Sequence, residues 1–222
     1  MVSDLGSTAW QGAIGIFGGT FDPVHFGHLR AAVEAREKLG VDDFRLLPAG
    51  RPAHRVGPIA NAEQRLEMLR LAVSGCPDLR VDDREVRRSG FSFMVDTLEE
   101  LRGEAGPAPL LLLIGQDAAN ALDGWHQWRR LFDLAHIVVM RRPEAHFNCR
   151  GELREQIESR RTADPSALRD SAAGLVLPLE VTQLDISSTF IRGLLAQGHS
   201  PRFLLPERVI EYISRQGLYA GA

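Results

Sequence analysis

Lysine is almost missing from this chain. Of its 26 basic side chains only Lys38 is an amine, so nearly all the positive charge is guanidinium. That reads mainly as genome composition, although the guanidinium fork also suits bidentate recognition of phosphate. Cysteine is scarce as well. Cys76 and Cys149 have no metal-ligand spacing and make no disulfide framework. The strongest apolar run, Leu110 to Ile114, is far too short to span a bilayer. At the amino terminus no basic stretch leads into an apolar one, as a secretory signal would require. An excess of positive charge is lacking too: the net charge is −3, which argues against a general nucleic-acid binder but leaves room for a local basic pocket. These absences lead us to expect a cytoplasmic protein with neither membrane nor nucleic-acid partners.

What is there suits a globular protein. Hydrophobic residues make up 44% of the 222 positions and charged ones 25%, ordinary values for a folded soluble domain. Short apolar runs at Ala13–Phe17, Phe44–Leu47, Leu79–Val81, Leu110–Ile114, Ile137–Met140 and Leu175–Val181 read as strands. Helical spacing fills the intervals: Leu29–Leu39 before Gly40, a helix capped by Asn61 with Gln64 three positions on, Ser92–Leu101, Trp125–Phe132, an exposed Glu152–Arg161, Ser188–Leu195 and Pro206–Ser214. Nothing is assigned to Ala167–Gly174. Pro178 restricts the last apolar run to an edge strand or two short pieces. Strands that are apolar throughout and alternate with helices predict an α/β fold, a doubly wound parallel sheet. With no repeat, low-complexity block or Gly/Ser linker, residues 1–222 are expected to form a single domain with a small helical C-terminal part over about 186–219.

The segment Gly18-Gly19-Thr20-Phe21-Asp22-Pro23-Val24-His25-Phe26-Gly27-His28 carries the most information. It joins an apolar strand to a helix through a glycine turn, the arrangement by which α/β folds bring backbone N–H groups to an anion. His25 and His28, three residues apart, add side-chain donors on one face. A glycine turn with two incidental histidines is the plainer alternative, and it is much the weaker one. Three further segments fall beyond the carboxyl ends of strands, where open parallel sheets bind ligands. Pro48 to Arg55 is a rigid basic loop that composition alone would call a solvated connection. Gly115 to Asp117 offers a carboxylate for a ribose hydroxyl, or an ordinary helix cap. Ile186-Ser187-Ser188-Thr189-Phe190-Ile191-Arg192 sets hydroxyls at a helix start with a guanidinium one turn in, which suits phosphate oxygens or a plain capping motif.

The first and last of these segments resemble the paired motifs of the nucleotidyltransferase superfamily named for its His-x-Gly-His sequence. Within it the chain is similar to bacterial nicotinate-nucleotide adenylyltransferases. Leu47-Pro48 through His54-Arg55, Arg88 to Leu98, Ile114 to Asp117, Trp125-His126-Gln127-Trp128, Arg141-Arg142-Pro143 and the tail from Leu204 to Tyr219 support that likeness. It implies a Rossmann-like fold and transfer of an adenylyl group from ATP to nicotinate mononucleotide, giving deamido-NAD and pyrophosphate. It further implies His25, His28 and Arg192 as catalytic residues. ATP would be held by Gly18, Gly19, Thr20, Phe21, His54, Arg55, Ser187, Ser188 and Thr189. The nicotinate nucleotide would be held by Ser92, Phe93, Met94, Asp117 and Trp125. Mg²⁺ is expected on the triphosphate with no metal cage supplied by the protein, and the oligomeric state is expected to be monomer or homodimer. Ser92-Phe93-Met94 departs from the family's usual Ser-Tyr-Thr, so a thioether stands where a hydroxyl would face the nicotinate carboxylate. Trp128 reads as helix packing. The nearest rivals are a phosphopantetheine adenylyltransferase, which usually has Thr where His25 stands, and a class I aminoacyl-tRNA synthetase, whose Lys-Met-Ser-Lys-Ser-like segment does not appear here. A non-catalytic nucleotide sensor is the alternative from outside the enzymes.

Overall fold

The computed structural model describes residues 12–52, 58–141 and 147–221. Six parallel strands form one sheet: β1 (Ile14–Gly19), β2 (Asp43–Pro48), β3 (Arg80–Val81), β4 (Leu110–Gly115), β5 (His136–Arg141) and β6 (Val176–Glu180), in the order β3-β2-β1-β4-β5-β6. Helices α1 (Phe26–Leu39), α2 (Ala62–Val73), α3 (Arg84–Arg87), α4 (Met94–Ala105), α5 (Gln116–Asn120), α6 (Trp128–Leu134), α7 (Gly151–Arg160), α8 (Ser188–Ala196) and α9 (Glu207–Gln216) surround it. This is the expected doubly wound α/β fold.

Strand side chains alternate between two apolar layers. Phe17, Leu111, Leu113, Val138 and Met140 pack with α1, α2, α8 and α9, whereas Ile14, Ile16, Leu110, Leu112, Ile137 and Val139 pack with α4, α6 and α7. A sheet covered on both faces needs strands that are apolar at every position, which is why these strands read as continuous runs. Pro178 does sit on an edge strand, β6.

Local chemistry sets the helix ends. Asn61 and Gln64 form a reciprocal capping box at the start of α2, with Gln64 N donating to Asn61 Oδ1 at 2.9 Å and Asn61 N to Gln64 Oε1 at 3.0 Å. Gly40 ends α1 in the left-handed region at φ 67°, donating to Arg36 O.

Four expectations shift. The helix expected from Ser92 begins at Met94, because Ser92 is held by the loop after β2. Trp125 is extended, and α6 begins only at Trp128. Helix α7 is not fully exposed: Leu153 and Ile157, one turn apart, are buried. A 3₁₀ turn over Pro165–Arg169, capped by Asp164, occupies part of the unassigned stretch. Among the described residues no helix is long and apolar enough to cross a membrane.

Candidate active site

Strand order reverses between β1 and β4, so the connections leaving these two neighbours diverge and open a crevice at their carboxyl ends. Both strands end in glycine, Gly19 and Gly115. At β1 both glycines leave room, Gly19 against the buried Phe21 ring and Gly18 against the flexible end of Met94. A Cβ on Gly18 would sit 2.9 Å from the Met94 methyl carbon, and one on Gly19 would sit 2.9 Å from the Phe21 ring. Phe21 itself is buried against Phe17 and His28, so only its backbone is free to face a ligand.

His25 is the N-cap of α1 and His28 lies in its first turn, which has no acidic residue. The two imidazoles stack with centroids 3.7 Å apart. His25 N donates to His28 Nδ1 at 3.3 Å, which makes Nδ1 the acceptor and leaves the proton of the neutral ring on Nε2. Burial lowers the His25 pKa from 6.5 to about 4. His28 falls well below its ordinary value, first through burial and then through the neighbouring His25 charge. Both rings are therefore neutral near pH 7. His25 Nδ1 is buried without a hydrogen-bond partner among the described residues. Such an orphan costs about 1–3 kcal/mol, and proteins keep one where function asks for it.

The distal motif meets this loop. Arg192 Nη1 donates to Asp22 O at 2.7 Å, and Ser188 Oγ donates to Pro23 O at 2.9 Å. The carbonyl of Ile186 lies 3.5 Å from where a Gly27 Cβ would stand. Ser187 is the N-cap of α8, its hydroxyl accepting from Phe190 N at 3.1 Å, and Thr189 Oγ1 accepts from Arg192 Nη2 at 3.3 Å. The loop that leads into His25 and His28 is thus held by the segment that carries Arg192.

Across the crevice, Ser92 Oγ accepts from Gly50 N at 3.0 Å and Arg51 N at 3.1 Å, near the buried Glu85, whose carboxylate accepts from Thr97 Oγ1 at 2.7 Å. A hydroxyl has two acceptor positions, so both are used within the protein. Phe93 caps α4, with its ring 4.4 Å from that of His126 and 6.1 Å from that of Phe91. Arg51 lies over Phe91 at 4.5 Å. Met94 turns toward Gly18 instead of offering a polar group. Asp117 is exposed in α5, and Trp125 is half-buried against the layer formed by α4, α6 and α7. Trp128 is buried in that layer, as expected of a packing residue. His54 and Arg55 lie outside the described residues.

Three residues at this site carry no expectation from sequence: Asp22, Arg65 and Tyr219. Arg65, 1% exposed, donates to the carbonyls of Thr20, Gly50 and Ala60. Its place on the apolar face of α2, three and four residues before Met68 and Leu69, was the available signal.

Residues 16–194 match the family described as cytidylyltransferase-like. A protein of Methylococcus capsulatus named "Probable nicotinate-nucleotide adenylyltransferase" is 49% identical over 208 residues, covering 93% of this chain and 99% of its own. One of the same name from Pseudomonas syringae is 46% identical, with 93% of each chain covered. The structure titled Plasmodium falciparum nicotinic acid mononucleotide adenylyltransferase complexed with NaAD superposes with a TM-score of 0.72, at 15% identity and over 93% of this chain and 97% of that one. With the family match spanning most of its length and relatives near half identical along almost all of it, the chain belongs to the cytidylyltransferase-like family, in its nicotinate-nucleotide adenylyltransferase branch.

Proposed function

We propose that this protein transfers the adenylyl group of ATP to nicotinate mononucleotide, releasing pyrophosphate and deamido-NAD. The observation that carries the reading is the meeting of the two motifs, with the Arg192 guanidinium resting on the backbone of the loop that bears His25 and His28. The names of the relatives support the same acceptor.

In the reaction an oxygen of the acceptor's 5′-phosphate forms a bond to the α-phosphorus. The bond from that phosphorus to the oxygen bridging to the β-phosphate breaks, and pyrophosphate leaves. A phosphate monoester with its second pKa near about 6 is largely dianionic at neutral pH, so the nucleophile needs no base. The protein must instead align two anions and stabilise charge at the α-phosphate. His28 Nε2–H and the His25 ring serve as donors to that phosphate. Backbone N–H groups from Gly18 to Phe21 and that of Gly27 face the triphosphate, since Phe26 N and His28 N at the start of α1 already donate to Leu204 O and His25 O. Arg192, with Ser187, Ser188 and Thr189 at the start of α8, holds the β- and γ-phosphates, and His54 and Arg55 contribute charge from the loop after β2.

For the acceptor, Trp125 stacks on the pyridine ring and Asp117 takes a ribose hydroxyl. Met94 has no donor to give the nicotinate carboxylate, so that contact falls to the backbone N–H groups of Phe93 and Met94. The Phe93 side chain makes no cap at this end of α4, and those groups are left to a ligand. Among the described residues no three His, Cys, Asp or Glu side chains gather to hold a metal. Mg²⁺ enters as part of the substrate, on the triphosphate's own oxygens and water. ATP, Mg²⁺ and nicotinate mononucleotide should together give pyrophosphate and deamido-NAD, read by coupled phosphate release and chromatography. Nicotinamide mononucleotide, run alongside, should react more slowly. ATP binding with no pyrophosphate from either acceptor would favour the nucleotide-sensor reading instead.

A further inference from the structure

Asp22 lies within the histidine-bearing loop, but its carboxylate is turned into the protein and is only 5% exposed. Oδ2 accepts from Ile59 N at 2.9 Å, and Oδ1 accepts from Ala60 N at 3.2 Å and from the Tyr219 hydroxyl at 2.6 Å. The backbone carbonyl of the same residue receives Arg192. One residue therefore joins the loop after β1, the chain entering α2, the guanidinium of α8 and the tail beyond α9. That tail is bent back deliberately. Gly217 closes α9 in the left-handed region, Leu218 N donates to Ile213 O at 3.0 Å, and Tyr219, a non-glycine residue, takes φ 63° to bury its ring.

Arg65 completes the arrangement from the other side. It donates to Thr20 O and Gly50 O, both at 2.8 Å, and to Ala60 O at 3.2 Å. No carboxylate hydrogen-bonds to it among the described residues, although the charge of Asp22 acts on it. Burying a guanidinium against carbonyls is costly, and an apolar residue of similar volume would serve packing at least as well. The charge is better explained by what it orients. In a planar trans peptide the N–H points opposite to the C=O, so holding Thr20 O inward turns the Phe21 N–H away from the core.

We propose that Tyr219 and Arg65 are positioning residues for the phosphate side of the site. Tyr219 fixes Asp22, and through its carbonyl Arg192, while Arg65 sets the peptide that carries the Phe21 N–H. The assignment to ATP and pyrophosphate rests on the adenylyl-transfer reading. Tyr219 makes no contact with the acceptor side, which is built from α4, α5 and the segment around Trp125, and Arg65 reaches it only through the Gly50 carbonyl, in the loop that Ser92 braces.

Tyr219→Phe keeps the buried ring and removes only the hydroxyl, and Arg65→Lys keeps the charge and removes the fork. Both variants and the wild type are assayed for pyrophosphate release against each substrate, for inhibition by added pyrophosphate, and for thermal unfolding by circular dichroism. In folded Tyr219→Phe the KM for ATP and the Ki for pyrophosphate should both rise about 5–20-fold while the KM for nicotinate mononucleotide stays within about twofold. Arg65→Lys should raise the same pair of constants. A loss of folded enzyme would lower kcat and leave these constants alone, because none of them depends on how much enzyme is active. Unchanged constants for ATP and pyrophosphate in either folded variant, or an equal rise in all three, would overturn the proposal. If the wild type itself makes no product, the adenylyl-transfer reading fails separately. Calorimetric titration with pyrophosphate then decides the positioning role: weaker binding by the variants supports it, and equal affinity overturns it.

Discussion

His25 should make this protein sensitive to mild acid. Its ring is 5% exposed, and burial holds its pKa at about 4, against 6.5 for a free imidazole. Between those two values the unfolded chain binds a proton at this position and the native protein does not. Protons therefore favour unfolding, and stability falls as pH drops from 6.5 toward 4, then levels off once the native ring also titrates. At 1.36 kcal/mol per pH unit the contribution amounts to about 3 kcal/mol, a substantial part of a typical domain's stability. His28 and His136 act with the same sign, since burial lowers both.

The comparison to make is wild type against His25→Asn, which keeps polarity near the ring position and cannot titrate. Urea unfolding at intervals from pH 7.5 to pH 4.5 gives the free energy at each pH. The wild type should lose more stability over that range than the variant, with a difference approaching about 3 kcal/mol, lowered at pH 4.5 because the native titration is not yet complete. Superimposable pH profiles would refute the claim that the His25 ring stays neutral in the native protein.

Removing the other imidazole tests transition-state stabilisation directly. In the folded enzyme His28→Ala should lower kcat by on the order of 10²–10³, as expected for loss of one preorganised donor, and should also lower the unfolding midpoint through lost packing on His25, Phe17 and Phe21; a kcat within tenfold of wild type would contradict its role. Gly50→Ala should destabilise the fold by about 1–3 kcal/mol in urea unfolding, because the new Cβ would lie 2.1 Å from the Glu85 carbonyl oxygen and backbone must move. A change below about 0.5 kcal/mol would mean the loop yields more freely than its contacts indicate.

The features legible from sequence were those written in neighbouring residues. The Asn61–Gln64 cap, the Gly40 stop, the apolar strands and the edge position of Pro178 all follow from local pattern, and the structure bears them out. Burial of Leu153 and Ile157 was legible too, since an i, i+4 pair in a polar helix marks an inward face, but the surrounding charge obscured it. The junction at Asp22 was not legible. Its contact with Tyr219 joins residues 197 positions apart, and its contact with Arg192 joins residues 170 apart. Nothing within either segment specifies the other. The Ser92 hydroxyl is a similar case: its partners at Gly50 and Arg51 become visible only once β2 and α4 are packed.

The neutrality of the two imidazoles implies a division of labour with the arginines. A site for a polyphosphate needs positive potential before the ligand arrives, and stacked, buried rings cannot supply it near neutral pH. Guanidinium can, because it stays protonated throughout the accessible range. On the proposed reading, Arg192, which rests on the loop, and Arg65 beneath it would provide standing charge, along with the acid-free N-terminus of α1. On the same reading the histidines would act as directed N–H donors whose protonation responds to the anion beside them. A triphosphate near His25 and His28 favours their charged forms and opposes the effect of burial. The same burial that weakens the native state in acid thus keeps these rings neutral until substrate phosphate draws a proton toward them.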